Sequence, residues 1–434
     1  MKNHMVLPLM GMVSLLWTVG TRADEVSDLK KQVEQQEKQI SDLKLKVDQI
    51  EAAKKAGAQA SVDKPDAADK KAGDKADKKN SALPDSLKWA QNVNWSGDFR
   101  YRHDWIEQTP EDRHRDRIRA RLKVGASVTE DWDLGFRIRA GESRDPVSGN
   151  VTLDDSAAPK TAYLDQAYAN WHPGAWKGFS GLAGKFETPF YKAGRNQLIW
   201  DDDLTMEGLA ASYVLAVGKQ TKVHAAMGGF WVEERASADD TMLYGLQGYV
   251  QQAMGGPTSL IVGVSHYNYD SIRGHPDLAK SWSGSSNFFG NGNSGGVFTN
   301  GYSLLEGFAE FTCKVAKWPV GVFGTVVRNL GVKAENSEDT AWLVGCRLNQ
   351  AVDPGTWEFN YDYRNIENDA VVGQFCDNEF GGGGTGSKGS RFNFAYQIAK
   401  NVQGAVTYYD STITRSAPEM DYHRLQVDLV VRFK

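Results

Sequence analysis

Residues 117–124 read Arg117-Ile118-Arg119-Ala120-Arg121-Leu122-Lys123-Val124. Cationic and apolar side chains alternate without a break. A helix would scatter both kinds around its circumference, whereas a strand sends successive side chains to opposite faces. The stretch therefore predicts a strand with one wholly cationic face and one wholly apolar face. In a soluble sheet the charged face would meet water outside. In a membrane barrel the apolar face meets lipid and the charged face lines a wet lumen.

The same period recurs further along. Leu425, Val427, Leu429, Val431 and Phe433 share one face, while Arg424, Gln426, Asp428 and Arg432 share the other. Trp357, Phe359, Tyr361 and Tyr363 alternate with Glu358, Asn360, Asp362 and Arg364. Aromatics near strand ends suit the girdles at membrane interfaces. The connections alternate too. Thr129-Glu130-Asp131, Gly218-Lys219-Gln220, Gly255-Gly256-Pro257 and Val352-Asp353-Pro354-Gly355 are short, whereas 142–160, 189–207, 271–301 and 366–389 are long. Tight turns at one end and long loops at the other mark an up-and-down membrane barrel, and the pattern from 89 to 434 gives about 16 strands. Lipid cannot satisfy an open sheet edge, so the barrel must close. The predicted fold is all-β: a transmembrane antiparallel β-barrel.

Residues 1–23 read as a secretory signal, with a polar start at Lys2 and His4, an apolar run from Met5 to Gly20 and small residues near Ala23. From 24 to 51 the pattern is heptad. Val26, Leu29, Val33, Gln36, Ile40, Leu43, Val47 and Ile50 follow one another at alternating spacings of three and four, predicting a short α-helical coiled coil. Residues 52–88 are rich in Ala, Lys and Asp with no apolar period and read as a disordered charged linker. The net charge of −5 points to no particular macromolecule, and beyond the extreme N-terminus no run is apolar enough for a membrane helix. Cys313, Cys346 and Cys376 are too few and too far apart for a disulfide framework or zinc site, and the first two are expected on strands that are not neighbours.

The barrel region resembles the bacterial “putative porin” family of exported proteins with a coiled-coil start. The residues that carry the resemblance are Trp95-Ser96-Gly97-Asp98-Phe99-Arg100-Tyr101-Arg102, the run from Arg113 to Leu122, Asp165-Gln166-Ala167-Tyr168-Ala169-Asn170-Trp171, Gly184-Lys185-Phe186-Glu187-Thr188-Pro189-Phe190, and Trp200-Asp201-Asp202-Asp203-Leu204. The resemblance implies an outer-membrane pore; porins are commonly trimers, and in wide general porins the third external loop folds inward toward a cationic wall. Outer-membrane barrels usually end on an aromatic residue, and here Phe433 is followed by Lys434.

The candidate pore-lining set follows. Arg117, Arg119, Arg121 and Lys123 form a row, and Arg100, Arg102, Arg137 and Arg139 have the same parity on neighbouring strands. The plain reading is a hydrated wall; the sharper one is a selectivity face. Export and the strict apolar alternation exclude a nucleic-acid arm. Asp201, Asp202 and Asp203 lie in the third long connection. They lack calcium-loop spacing, so no metal is expected. They read either as exposed loop charges or as part of a loop folded into the pore, opposite the arginines. The run Gly381–Gly384 lacks the Lys-Ser or Lys-Thr of a phosphate loop and reads as a flexible loop tip. No short motif marks a nucleophile and the eight His are scattered, so neither an enzyme nor a cofactor is expected. The expected partners are small hydrophilic solutes or ions, outer-membrane lipid, other copies of the chain (a trimer favoured) and, through the linker, peptidoglycan. The function expected is passive diffusion with mild anion preference. The alternative is a structural tether between outer membrane and cell wall.

Overall fold

The computed structural model describes residues 90–142, 144–332 and 338–434. The expected signal segment, coiled coil and linker lie outside them. Sixteen long strands follow in order: β1 (Val93–Gln108), β2 (Glu111–Thr129), β3 (Trp132–Ala140), β4 (Ala162–Trp171), β5 (Phe179–Glu187), β6 (Thr205–Val217), β7 (Thr221–Glu233), β8 (Thr241–Ala253), β9 (Ser259–Asp270), β10 (Tyr302–Val315), β11 (Trp318–Asn329), β12 (Thr340–Asn349), β13 (Trp357–Ile366), β14 (Ser387–Ala399), β15 (Val402–Ile413) and β16 (Met420–Phe433). Each pairs antiparallel with the next. β16 returns to β1, from Gly97↔Phe433 to Gln108↔Tyr422, and closes the barrel. The chain is thus a closed antiparallel barrel of sixteen strands, as the alternation predicts.

The two faces sort as expected. Phe99, Leu122, Ile138, Leu164, Leu209, Val264, Val427 and Leu429 are exposed on the outer wall. Arg102, Asp104, Arg117, Arg137, Arg139, Asp362, Arg364 and Arg424 are buried on the inner one. Outward apolar side chains are stable only against lipid, and the inward ones then need water or partners. Cys313 on β10 and Cys346 on β12 are free and separated by β11.

Turns at one rim are short, down to the two residues 130–131 and 400–401, and the other rim carries 141–161, 188–204, 271–301 and 367–386. One connection departs from the alternation. The β1–β2 hairpin reaches the long-loop rim with a two-residue turn at 109–110, because the strands themselves are extended there. Two loop boundaries also shift. The third long connection ends at Leu204, and Glu207 belongs to β6, opposite Lys185 with an Nζ–carboxylate distance of 2.7 Å. Ser387–Gly389 belong to β14.

The long loops do not stand away from the barrel. Phe190, Leu198, Trp200, Ile272, Phe298, Val371, Val372 and Phe380 from three loops pack with the inward Phe230, Tyr267, Tyr302 and Phe323 as one apolar cluster. A barrel of this strand number encloses more space than wall side chains can fill. The loops fill part of it. β5 pairs with β4 over only Ala167↔Lys185 to Trp171↔Gly181, and beyond Glu187 the chain turns inward. The glycine run is corrected here. Gly381, Gly383 and Gly384 are buried, not at an exposed tip. A side chain at Gly384 would meet the Phe289 carbonyl oxygen at 2.2 Å, and its φ of +85° favours glycine.

Candidate channel constriction

β1, β2 and β3 bring the predicted cations together. Arg102 lies opposite Arg117, Arg100 opposite Arg119, Arg121 opposite Arg139 and Lys123 opposite Arg137. Like charges placed directly across a ladder destabilise it. Carboxylates offset most of this repulsion. Asp98 accepts from Arg119 Nε at 3.0 Å and from Arg121 Nε at 2.7 Å. Asp428 takes Arg102 as a bidentate pair, both contacts 2.7 Å. Asp165 holds Arg137 at 2.5 Å and Arg139 at 3.1 Å. Asp104 holds Arg424 at 2.7 and 2.8 Å and Arg115 at 2.8 Å. Lys123 instead stands 5.9 Å from the ring centre of Tyr168. The wall is therefore an ion-pair lattice. Arg102, Arg117, Arg137 and Arg139 are only 4–7% exposed within this wall.

Two guanidinium groups escape the lattice. Arg100 Nη2 donates to Asn150 Oδ1, and Arg117 Nη2 lies 3.5 Å from Ser148 Oγ. Neither forms an ion pair among the described residues, and the Nε of each is buried without a partner.

The aspartate triplet separates. Asp203 touches the cationic wall directly, at 3.4 Å from Arg119 Nη1 and 3.2 Å from Arg121 Nη1, and accepts from Gly149 N at 3.2 Å. Burial raises its carboxyl, but Arg119, Arg121 and Arg100 outweigh that and hold it well below the ordinary range. Asp201 turns the other way. It is 5% exposed and accepts from Asp203 N at 2.7 Å and Asn378 N at 3.2 Å. Burial, with Asp203 and Asp377 beside it, pushes its carboxyl up. Asp202 is exposed and pairs with Lys192. Only Asp203 and Asp202 thus resemble the expected anionic side of a passage, and Asp203 contacts the arginines with no gap between.

On one side of Asp203 lies a cavity of about 630 Å³, lined by Arg100, Arg119, Arg121, Arg137, Lys192 and Arg195 against Glu187, Asp201, Asp202 and Asp203. Five of the six cations are already paired with carboxylates, and Arg100 is not. On its other side the loop 367–386 is pinned to β13. Arg364, 1% exposed, binds Asp362 at 2.6 Å and Asp377 at 2.8 Å, and lies 4.6 Å over the Phe380 ring. Asp377 N in turn donates to Gln197 O at 3.1 Å, tying this loop to 188–204.

Several of these residues are absent from the set read from sequence. Asp98 and Asp104 share the parity of Arg100 and Arg102, and Asp428 that of Arg424, so period two could have found them. Asp165 sits beside a register shift in the β3–β4 ladder, which hides its face. Glu379, which binds Arg102, is a loop residue with no local signal.

Several solved structures are similar to this chain. Pseudomonas putida OprB at high pH is similar at TM-score 0.54 and 10% identity, covering 80% of this chain and 96% of that one. Vibrio cholerae OmpT lacking loop L8 gives TM-score 0.46 at 12% identity, covering 79% and 99%. Salmonella typhi OmpF in complex with daunomycin gives 0.47 at 11%, covering 79% and 97%. At such identities the likeness to OprB is one of fold. Among curated protein sequences none matches. The family model described as “Putative porin” matches residues 104–306 and 324–433, most of the chain. The closed barrel, its apolar outer wall and its charged interior agree with that match, and the chain belongs to the putative porin family.

Proposed function

We propose that this outer-membrane porin passes small hydrophilic solutes by diffusion and favours anions at the level of Asp203. The short-turn rim faces the periplasm and the long loops face outside. The heptad segment 24–51 then serves as a periplasmic stalk for a homo-oligomer, a trimer favoured, and the linker lies within reach of peptidoglycan.

The observation that carries the selectivity is Arg100, the one of the six cations lining the cavity that makes no ion pair among the described residues. Charge in a confined lumen is screened less than on an open surface, so a small excess biases which ion enters. Arg100 contributes most in this reading, because Arg119 and Arg121 are already held by Asp98 and Asp203. In a planar bilayer under a salt gradient, the wild type should show a reversal potential on the anion side. Arg100→Gln should move it toward cations, and Asp203→Asn should move it further toward anions. Conductance with no response to either change would leave a pore without this filter. Absence of conductance from correctly folded protein would favour the tether.

A further inference from the structure

We propose that the cavity on the long-loop side of Asp203 is a binding subsite for one small carboxylate, centred on Arg117. It rests on the reading of the barrel as a pore, since the solute must reach the lumen. The cavity measures about 220 Å³ and is lined by Arg115, Arg117 and Arg424, by Ser148, Gln374 and Asn378, and by the backbone of Gly382–Gly384. One ordered water needs only about 10–15 Å³ of such space, so a carboxylate of a few carbons fits with water around it.

The pairing around the cavity favours a monoanion. Arg115 and Arg424 are both committed to Asp104, at 2.8 Å and at 2.7 and 2.8 Å. Glu379 is committed to Arg102 and lies 3.7 Å from Arg424. Asp145 lines the same cavity and accepts from Val147 N at 3.0 Å. Arg117 is the one lining arginine that makes no ion pair among the described residues. It is 7% exposed, its nearest side-chain partner is the neutral Ser148 at 3.5 Å, and its Nε has none. A buried guanidinium left this way is costly unless an anion completes it. Its planar fork matches a carboxylate, with two parallel N–H···O contacts. A dianion would bring a second charge toward Asp145 with no cation to meet it.

The site has a structural reason to stay open. Gly382, Gly383 and Gly384 adopt φ values of +74°, +89° and +85°, and so carry no side chain into the cavity. Phe289 closes the wall beside them.

The test uses the full chain in planar bilayers in potassium chloride, with sodium propionate or inorganic phosphate added on the long-loop side at equal ionic strength. Propionate should interrupt the single-channel current in a saturable way, and phosphate should do so more weakly. Arg117→Gln should weaken the propionate block about tenfold, the loss of one charge-assisted fork. Arg117→Lys, which keeps the charge and loses the fork, should weaken it by a smaller factor and covers the case in which the first variant does not fold. A wild-type channel that conducts but is not blocked by propionate overturns the subsite and leaves the pore standing. Block that both variants leave unchanged, or stronger block by phosphate, overturns it as well. A folded wild type with no conductance removes the pore reading itself.

Discussion

Asp104 is fully buried and accepts from two guanidiniums, Arg424 through two contacts and Arg115 through one. Such a pair gives little net stability over an apolar core, because both charges lose their water. Breaking it is another matter. Asp104→Asn leaves Arg424, itself 3% exposed, facing a neutral amide. The expected loss is about 3 kcal/mol, the low end of the usual cost of orphaning one partner of a buried pair, because Glu379 still lies 3.7 Å from Arg424. It is read as a lower temperature for the mobility shift that folded barrels show on gels when heated. The exposed pair Lys388–Glu419, at 3.3 Å, is the control, and Glu419→Gln there should change little. Equal effects from both changes would show that Asp104 does not work through its arginines.

At the scale of the element, the inward loop 188–204 carries two carboxyls pushed in opposite directions. Asp201 is raised by burial and by Asp203 and Asp377. Asp203 is lowered, its arginines overcoming burial. An unfolded Asp titrates near about 3.9. Above that value, up to the raised pKa of Asp201, the folded loop holds a proton that the unfolded chain has lost, so Asp201 destabilises the fold progressively as pH rises through this window. Below it, the unfolded chain holds a proton that Asp203 lacks, so stability from Asp203 is present above the ordinary value and lost as pH falls through the lowered pKa. Asp201→Asn should therefore flatten the stability profile on the neutral side of pH 4, and Asp203→Asn on the acid side. The heat-induced mobility shift followed across pH checks both limbs; Asp203→Asn should also soften the neutral limb in part, since its charge helps raise Asp201, but Asp201→Asn flattening the acid limb would refute the division. The strands were legible in the sequence because alternation is local: Ile118 and Arg119 declare opposite faces whatever surrounds them. The loops were not. Asp203 meets Arg121 across 82 positions of sequence, and Asp377 meets the strand residue Arg364 only because its loop enters the lumen. The glycine run reads as a tip for the same reason, since nothing within it announces Phe289.

For the whole molecule, everything depends on closing one seam. Consecutive strands are joined by their turns, and only β16 to β1 must meet without a connection. An open barrel would present two edges of unpaired N–H and C=O groups to lipid, each costing several kcal/mol. Gly97 sits at the end of that seam, opposite Phe433 on one side and Leu122 on the other. A β-carbon there would lie 2.3 Å from the Arg121 carbonyl oxygen and 2.7 Å from the Phe433 ring. The ring can swing aside, being half exposed on the outer wall. The carbonyl belongs to the β1–β2 ladder and cannot move without breaking it. Gly97→Val should thus hinder closure, giving less heat-modifiable barrel in refolding into detergent, and Phe433→Ala added to it should not restore the yield. Phe433→Ala alone removes only an outer contact, and its barrel should close, melting at a slightly lower temperature. Rescue of Gly97→Val by Phe433→Ala would mean that the ring, not the ladder carbonyl, sets the space at Gly97. Wild-type yield from Gly97→Val alone would mean that the seam tolerates a side chain, and that closure is controlled elsewhere along the twelve residue pairs joining β1 to β16.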